Sequence, residues 1–322
     1  MLTYILLIAG FILLIKGADF LVEGASSVAK KIGISSLVIG LTVVAFGTSA
    51  PELIVNIFAS FKNNTDIAIG NVLGSNIANI LLILGVSALI FPLKVKRSTV
   101  WKEIPFSLLA VIVAAIMAND ILLDKDSFSG LTRSDGLVFI CFFIIFLYYT
   151  FSISKEDSSE SNKIEIKKTS FFTSLLKIIF GLAGLTLGGK WIVDSAVDIA
   201  ASFGVSQAII GLTVVAVGTS LPELATSAVA AFKKNTDIAV GNIVGSNIFN
   251  ILWILGVSSL INPLPFSNMM MFDVCVDVAA TLALFMFMFV GIRHTLQRWQ
   301  GGIFVITYIL YIILLVLREI KF

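Results

Sequence analysis

The chain has 322 residues, of which 58% are hydrophobic and 13% are charged, and its mean hydropathy is +1.03. This composition excludes an ordinary soluble protein and predicts an all-α membrane protein. The formal net charge of +2 is too small to indicate a nucleic-acid partner.

The cysteine and histidine content argues against catalysis and against a transition-metal site. Cys141 and Cys275 lie in apolar runs without a spacing partner, so we expect inert core thiols. A zinc site is not supported, because the chain has a single histidine, His294. Neither an HExxH motif nor a nucleophile elbow occurs, and the sequence therefore predicts no enzyme and no cofactor.

Ten apolar segments follow one another along the chain, and most reach the ~20 residues that a helix needs to cross a bilayer. We predict ten transmembrane helices, at about residues 2–29, 37–61, 66–91, 100–118, 134–153, 170–200, 207–232, 238–262, 269–292 and 301–318. The first and sixth are long and carry acidic residues, which we expect to be interfacial or paired with Lys16 and Lys190.

A polar stretch divides the chain into two copies of one pattern. We predict a first five-helix repeat at 1–153, a short cytoplasmic linker at 154–169 and a second repeat at 170–322. At an offset of 171, residues 37–93 and 208–264 agree at 39 of 57 positions. Because five is an odd number of spans, the second repeat must be inverted, as in many secondary transporters.

Basic residues in the loops predict the orientation. With the N-terminus outside, the inner loops hold 14 of the 22 Lys and Arg residues. The positive-inside rule then places both termini outside the cell and the linker in the cytoplasm.

Each copy carries a glutamate inside an apolar segment. Residues 47–52 read Gly-Thr-Ser-Ala-Pro-Glu, and residues 218–223 read Gly-Thr-Ser-Leu-Pro-Glu. A carboxylate at the centre of a membrane helix costs roughly 2.5–3.5 kcal/mol, so its default interpretation is functional. Pro51 and Pro222 each interrupt the backbone hydrogen bonds just before the glutamate, which predicts a broken helix.

Helical spacing gathers further oxygen donors around each glutamate, since residues three and four apart share a face. These donors suit Ca²⁺ and also Na⁺, because none of them is sulfur or imidazole. The candidate set is Thr48, Ser49, Glu52, Ser75 and Asn79 in the first repeat and Thr219, Ser220, Glu223, Ser246 and Asn250 in the second, with Asn76 or Asn247 as further donors.

Other polar or small residues in these segments have structural interpretations. The spacing Gly70-x-x-x-Gly74 and its copy at Gly241 and Gly245 predict close helix packing. Thr65-Asp66 and Thr236-Asp237 are typical of helix N-caps.

The doubled motif, Gly-Thr-Ser-x-Pro-Glu followed by Gly-Asn-x-x-Gly-Ser-Asn-Ile-x-Asn, resembles the α-repeats of the calcium/cation antiporters. The resemblance is to the short prokaryotic members of the sodium/calcium exchanger family and covers essentially the whole chain. It implies that the long first and sixth helices slide to alternate access. It implies Ca²⁺ ligands at Glu52, Glu223, Thr48 and Thr219, and Na⁺ ligands at these groups together with Ser49, Ser75, Asn79, Ser220, Ser246, Asn250 and the carbonyls near Ala45 and Ala216.

The resulting hypothesis is a Na⁺/Ca²⁺ antiporter of the prokaryotic cell membrane, acting as a monomer and extruding Ca²⁺ electrogenically. Its partners are Ca²⁺, Na⁺ and the lipid bilayer. An H⁺/Ca²⁺ antiporter is the main alternative, since a membrane glutamate also carries protons, and a cation channel is a weaker one. Because Asn79 and Asn250 are neutral, we expect no third carboxylate beside the site and no K⁺ dependence.

Overall fold

A computed structural model describes residues 2–123, 129–153, 170–203, 216–266 and 268–320. Helices dominate this described part, in agreement with the predicted all-α class. The predicted linker at 154–169 lies outside the described residues, and so does much of the seventh predicted segment.

The first half of the chain holds seven helices in its described residues. These are α1 (Leu2–Ile32), α2 (Ser36–Thr48), α3 (Ala50–Phe61), α4 (Thr65–Ile90), α5 (Thr99–Met117), α6 (Asp120–Leu123) and α7 (Arg133–Ile153). The described residues of the second half form α8 (Phe171–Ser202), α9 (Ala216–Thr219), α10 (Leu221–Phe232), α11 (Thr236–Ile261), α12 (Asn268–Phe287) and α13 (Arg298–Ile320).

Eight helices in the described ranges are long and apolar enough to cross a membrane. A ninth span forms if α2 and α3, which meet at a bend of 47°, are counted as one. The segment predicted at 207–232 is described only as α9 and α10, so the count of ten stays a prediction.

Helices α4 and α11 form the centre of the protein. Of the apolar span of α11, 94% is buried inside the protein, and for α4 the share is 72%. The other spans are 28–39% buried, which leaves their apolar side chains facing outwards, as expected in lipid. The two helices that carry the Gly-Asn-x-x-Gly-Ser-Asn pattern are therefore shielded from lipid by the others.

The long helices α1 and α8 lie antiparallel and nearly touch through glycines. A Cβ added at Gly17 would lie 2.8 Å from the carbonyl oxygen of Gly181, and one added at Gly188 would lie 2.7 Å from that of Gly10. Only glycine allows two helix backbones to approach this closely. The pair therefore meets along a smooth surface rather than through interlocking side chains.

The acidic residues of α1 have partners other than those expected. Lys233, just after α10, forms ion pairs with Asp19 and with Glu23, the latter at 3.2 Å. Lys177 of α8 lies 2.7 Å from Glu23. Lys233 and Lys177 thus serve these carboxylates, and the expected pairing with Lys16 and Lys190 was wrong for Asp19 and Glu23.

Two short antiparallel pairs join the halves at the ends of the helices. Strand β1 (Leu93–Lys94) pairs with β4 (Thr295–Leu296), and β2 (Gly130–Leu131) pairs with β3 (Leu264–Pro265). Each pair joins a loop of the first half to a loop of the second and helps to fix their register.

Two local predictions are corrected by the structure. Cys141 and Cys275 are exposed on the outer surface, because in a membrane protein apolar segments face lipid as well as the core. The N-caps are Asn64 and Asn235, so the threonines that follow them are the first helical residues. The side chain of Asn235 accepts a hydrogen bond from the amide of Ile238 at 3.2 Å.

The glycine spacing in α11 does serve close packing. A Cβ at Gly245 would lie 2.6 Å from the carbonyl oxygen of Leu41 on α2, and one at Gly241 would lie 3.0 Å from that of Leu37. For Gly70 and Gly74, no described atom lies within 4 Å of such a Cβ. The equivalent neighbours, at 208 and 212, lie outside the described residues, so packing there stays a prediction.

Candidate cation-binding site

Two helix breaks place the glutamates. Helix α2 ends at Thr48, and Ser49 has φ −83° and ψ 8°, which separates it from α3. Ser220 has nearly the same conformation, φ −85° and ψ 5°, ahead of α10. The proline that follows each break lies in the first helical turn, where a missing N–H costs nothing. The sequence therefore starts a new helix at mid-segment, and a glutamate falls in its first turn.

Glu52 and Glu223 are both 1% exposed, and each is held by a serine of the opposite half. The Ser49 hydroxyl donates to Oε1 of Glu223 at 2.9 Å, and the Ser220 hydroxyl donates to Oε1 of Glu52 at 3.5 Å. The reciprocal contacts bring the two carboxylates to the boundary between the halves.

The serines also bind the central helices. A hydrogen bond joins the hydroxyls of Ser49 and Ser246 of α11 at 3.0 Å, and another joins those of Ser220 and Ser75 of α4 at 3.3 Å. All four serines are buried. The predicted hydroxyl ligands therefore come together, again with contacts that run from one half to the other.

Asparagines form the next layer. The side-chain nitrogen of Asn79 donates to Oδ1 of Asn247 at 2.9 Å, and that of Asn250 donates to Oδ1 of Asn76 at 3.1 Å. Asn76 and Asn247 also donate to each other's backbone carbonyls at 3.3 Å. These bonds use the amide nitrogens and leave the Oδ1 atoms of Asn79 and Asn250 as free acceptors.

Five oxygens of the predicted set are buried and receive no hydrogen bond. They are Oε2 of Glu52, Oε2 of Glu223, Oδ1 of Asn79, Oδ1 of Asn250 and Oγ1 of Thr219. A buried acceptor without a donor costs about 1–3 kcal/mol, and more when it is charged. Such a concentration of oxygens without donors is what a hard cation would satisfy.

The remaining predicted ligands are placed less symmetrically. The Thr48 hydroxyl shares its proton between the Ala45 carbonyl at 3.3 Å and Oδ1 of Asn242 at 3.1 Å. The Ala45 carbonyl also accepts from the amide of Ser49 at 3.0 Å, so it lies beside the helix break. Ala216 is the first residue of α9, and no contact is described for its carbonyl.

A second pair of asparagines supports the glutamates. Asn71 donates to the backbone carbonyl of Glu52 at 3.4 Å, and Asn242 donates to that of Glu223 at 3.5 Å. The sequence interpretation missed this role, although the signal was present. Asn71 lies four residues before Ser75, and therefore on the same helix face.

One buried carboxylate near the site was not expected. Asp277 of α12 is 0% exposed, and neither of its carboxylate oxygens has a hydrogen-bond partner. The side chains of Asn76 and Thr281 face it. The expectation of no third carboxylate beside the site was therefore wrong. Asp277 and Asp273 are the two acids of an otherwise apolar helix, and both lie outside the stretch that the two halves share.

Within the described ranges, no group of three or more His, Cys, Asp or Glu side chains could hold a metal ion. The site combines two carboxylates with neutral hydroxyls and amides. That combination suits Ca²⁺ and Na⁺ rather than a transition metal.

Comparison with known proteins agrees with this geometry. The family described as Sodium/calcium exchanger protein matches residues 2–152 and 173–317. The chain is 33% identical over 319 residues to the sodium/calcium exchanger MaX1 of Methanosarcina acetivorans, covering 89% of this chain and 91% of MaX1. It is 38% identical over 271 residues to the inner membrane protein YrbG of Escherichia coli K12, covering 82% and 81%.

The fold is similar to a solved structure of the sodium-calcium exchanger NCX_Mj soaked with 2.5 mM Na⁺ and 0.1 mM Ca²⁺. The TM-score is 0.83 at 37% identity, over 97% of this chain and 98% of that one. The family match covers both halves, including both glutamate motifs and both central helices. This multi-pass membrane protein belongs to the sodium/calcium exchanger family.

Proposed function

We propose that the protein is a secondary antiporter that exchanges Na⁺ for Ca²⁺ by alternating access. The observation that carries this proposal is the set of five buried oxygens without donors, which lies where two broken helices meet. We use the name cage for the Ala45 and Ala216 carbonyls and ten candidate side chains: Thr48, Ser49, Glu52, Ser75, Asn79, Thr219, Ser220, Glu223, Ser246 and Asn250.

Calcium is assigned to the centre of the cage. Glu52 and Glu223 supply two negative charges, which match one divalent cation, and both hold Oε1 in a serine hydrogen bond while Oε2 is free. Ca²⁺ takes six to eight oxygen ligands at about 2.3–2.6 Å. The hydroxyls of Thr48 and Thr219 and bound water complete that number.

Sodium is assigned to the same carboxylates and to the neutral oxygens on either side of them. Proton exchange would need only the two glutamates, whereas each half also contributes serine hydroxyls and an asparagine carbonyl oxygen with no donor. An H⁺/Ca²⁺ antiporter is the alternative, because a membrane carboxylate also carries a proton. The neutral oxygens favour Na⁺.

Alternating access is assigned to the paired helices α1 and α8 moving against the rest of the protein, with the halves 1–153 and 170–322 as inverted repeats. Their contact with each other is glycine-lined, which keeps them together as one body. The ion pairs from Lys233 to Asp19 and Glu23 attach this body to α10, so they must break and re-form if it slides.

A channel is a weaker alternative. Channels usually build a continuous pore with rings of ligands from several subunits. Here one chain supplies a two-fold set of ligands, and the glutamates, the four serines and the two asparagines are each 3% exposed or less. A buried site that opens to one side at a time fits exchange.

The decisive experiment uses the purified protein in liposomes loaded with Na⁺. Ca²⁺ uptake is measured after dilution into Na⁺-free buffer, and then in Na⁺-free vesicles that carry a pH gradient instead. We expect uptake with the Na⁺ gradient and none with the pH gradient. Uptake driven by the pH gradient alone would establish the H⁺/Ca²⁺ alternative.

A further inference from the structure

Asp277 is a buried carboxylate that the cage does not use. Its side chain is 0% exposed, and both carboxylate oxygens are without a hydrogen-bond donor. Among the described residues, no Lys or Arg forms an ion pair with it. An ionised carboxylate buried in this way is costly unless a cation compensates it.

Nearby acidic and basic groups are already engaged. Asp273, one turn earlier on α12, accepts a hydrogen bond from the Tyr311 hydroxyl at 2.9 Å. The Arg318 guanidinium lies over the ring of Phe272, 4.8 Å from its centre. Asp273 is thus satisfied by a side chain of α13, whereas Asp277 is not. This contrast supplies a matched control within one helix.

A small cavity lies one turn further along α12. It has a volume of about 10 Å³, room for one water molecule, and it is lined by five aliphatic side chains and by three polar ones, Ser107, Asn247 and Thr281. Thr281 is four residues after Asp277, on the same face of the helix. Its hydroxyl donates to the Asp277 carbonyl at 2.9 Å, which leaves the hydroxyl oxygen free to bind a cation.

The position is particular to the second half. Glu103 of α5 accepts a hydrogen bond from Tyr149, as Asp273 of α12 does from Tyr311. The residue four after Glu103, which therefore corresponds to Asp277, is Ser107. A neutral hydroxyl takes the equivalent place in the first half, and the fold alone does not call for an acid.

We propose that Asp277 forms a separate site for one monovalent cation, Na⁺, with the oxygens around the adjoining cavity. A single carboxylate matches one positive charge, and hydroxyl, amide and water oxygens suit a hard cation. The site adjoins the cage through Asn76, which faces Asp277 and accepts a hydrogen bond from Asn250 at 3.1 Å. This inference goes beyond the proposed exchange, and its test does not depend on transport.

The test measures the thermal unfolding midpoint of the full chain in detergent as NaCl replaces choline chloride at constant total salt. The background variant carries Glu52→Gln and Glu223→Gln, which removes both cage carboxylates. We expect Na⁺ to raise the midpoint of this background by roughly 5 °C near saturation. Adding Asp277→Asn abolishes the rise, and adding Asp273→Asn instead leaves it intact.

A second measurement distinguishes the loss of the site from damage to the fold. In Na⁺-free buffer, the Asp277→Asn protein should unfold at the same temperature as the background or higher, because an uncompensated buried charge has been removed. A background that does not respond to Na⁺ overturns the proposal, and so does a response that survives Asp277→Asn. Absence of exchange by the unmodified protein would refute the antiporter function and leave this result unaffected.

Discussion

Glu223→Gln removes one of the two charges of the cage and changes almost nothing else. Glutamine keeps the size of the side chain and an oxygen that can accept the Ser49 hydrogen bond, now 2.9 Å long. Its other terminal group becomes an NH₂ donor, at the place of an oxygen that is buried and without a partner. The substitution therefore turns a cation ligand into a group that repels a cation.

The expected loss is large because the site is closed. Removing one partner of a buried charge pair typically costs about 3–5 kcal/mol. At about 1.4 kcal/mol per factor of ten, Ca²⁺ binding should weaken by roughly 10² to 10⁴-fold. Glu52→Gln should behave alike, since Glu52 is equally buried and is held by Ser220 in the same manner.

Calorimetric titration of the purified protein with Ca²⁺ measures this loss, and uptake into liposomes follows its effect on transport. Glu103→Gln is the matched control: Glu103 is 2% exposed on α5 and accepts from the Tyr149 hydroxyl at 2.6 Å, outside the cage. It should bind Ca²⁺ as the unmodified protein does. Near-normal Ca²⁺ affinity in Glu223→Gln would place the site elsewhere.

Further predictions concern topology, potassium and voltage. Glu160→Cys, in a chain that lacks Cys141 and Cys275, should resist impermeant thiol reagents in intact cells and react once the membrane is opened; labelling from outside would reverse the orientation. Replacing K⁺ by choline on both sides, at clamped voltage, should leave Na⁺-driven Ca²⁺ flux unchanged, because Asn250 is neutral and Na⁺ fills the site at Asp277; a strict K⁺ requirement would contradict this. An inside-negative potential should favour Ca²⁺ extrusion, since each net charge moved across the membrane is worth about 2.3 kcal/mol per 100 mV; a reversal point that ignores voltage would refute electrogenic exchange.

Residue spacing was sufficient to predict that most of the candidate ligands share a buried region. Ser75 and Asn79 lie four residues apart and so share a helix face. Pro51 requires a break in the helix about one turn before Glu52. These are local consequences of helix geometry. They do not depend on how distant elements pack. In the structure Ser75, Asn79 and Glu52 are all buried.

The pairing between the halves was not predictable in the same way. Each serine binds the glutamate of the opposite repeat, Ser49 to Glu223 and Ser220 to Glu52. These contacts depend on how the two repeats pack against each other, and residue spacing within one repeat does not determine that packing. For the same reason the sequence did not predict the ion pair between Lys233 and Asp19, which forms because α10 ends beside α1.

Hydropathy also cannot tell lipid from protein interior. Cys141 and Cys275 lie in apolar helices and were expected in the core, yet both are exposed on the outer surface. The opposite error concerns Asp277: it lies in an apolar helix outside the repeated motif, and hydropathy does not distinguish it from Asp273 on the same helix. Its importance is apparent only when its burial and its lack of partners are known.

The central claim is that Na⁺ and Ca²⁺ move in opposite directions through one site. The most direct measurement follows radioactive Na⁺ release and radioactive Ca²⁺ uptake together, in liposomes that contain the unmodified protein. The account predicts that each Ca²⁺ taken up is matched by more Na⁺ than charge balance requires, because exchange is electrogenic, and that Glu223→Gln stops both fluxes together. Ca²⁺ uptake without Na⁺ release, or Na⁺ release that continues when Ca²⁺ uptake has stopped, would contradict it.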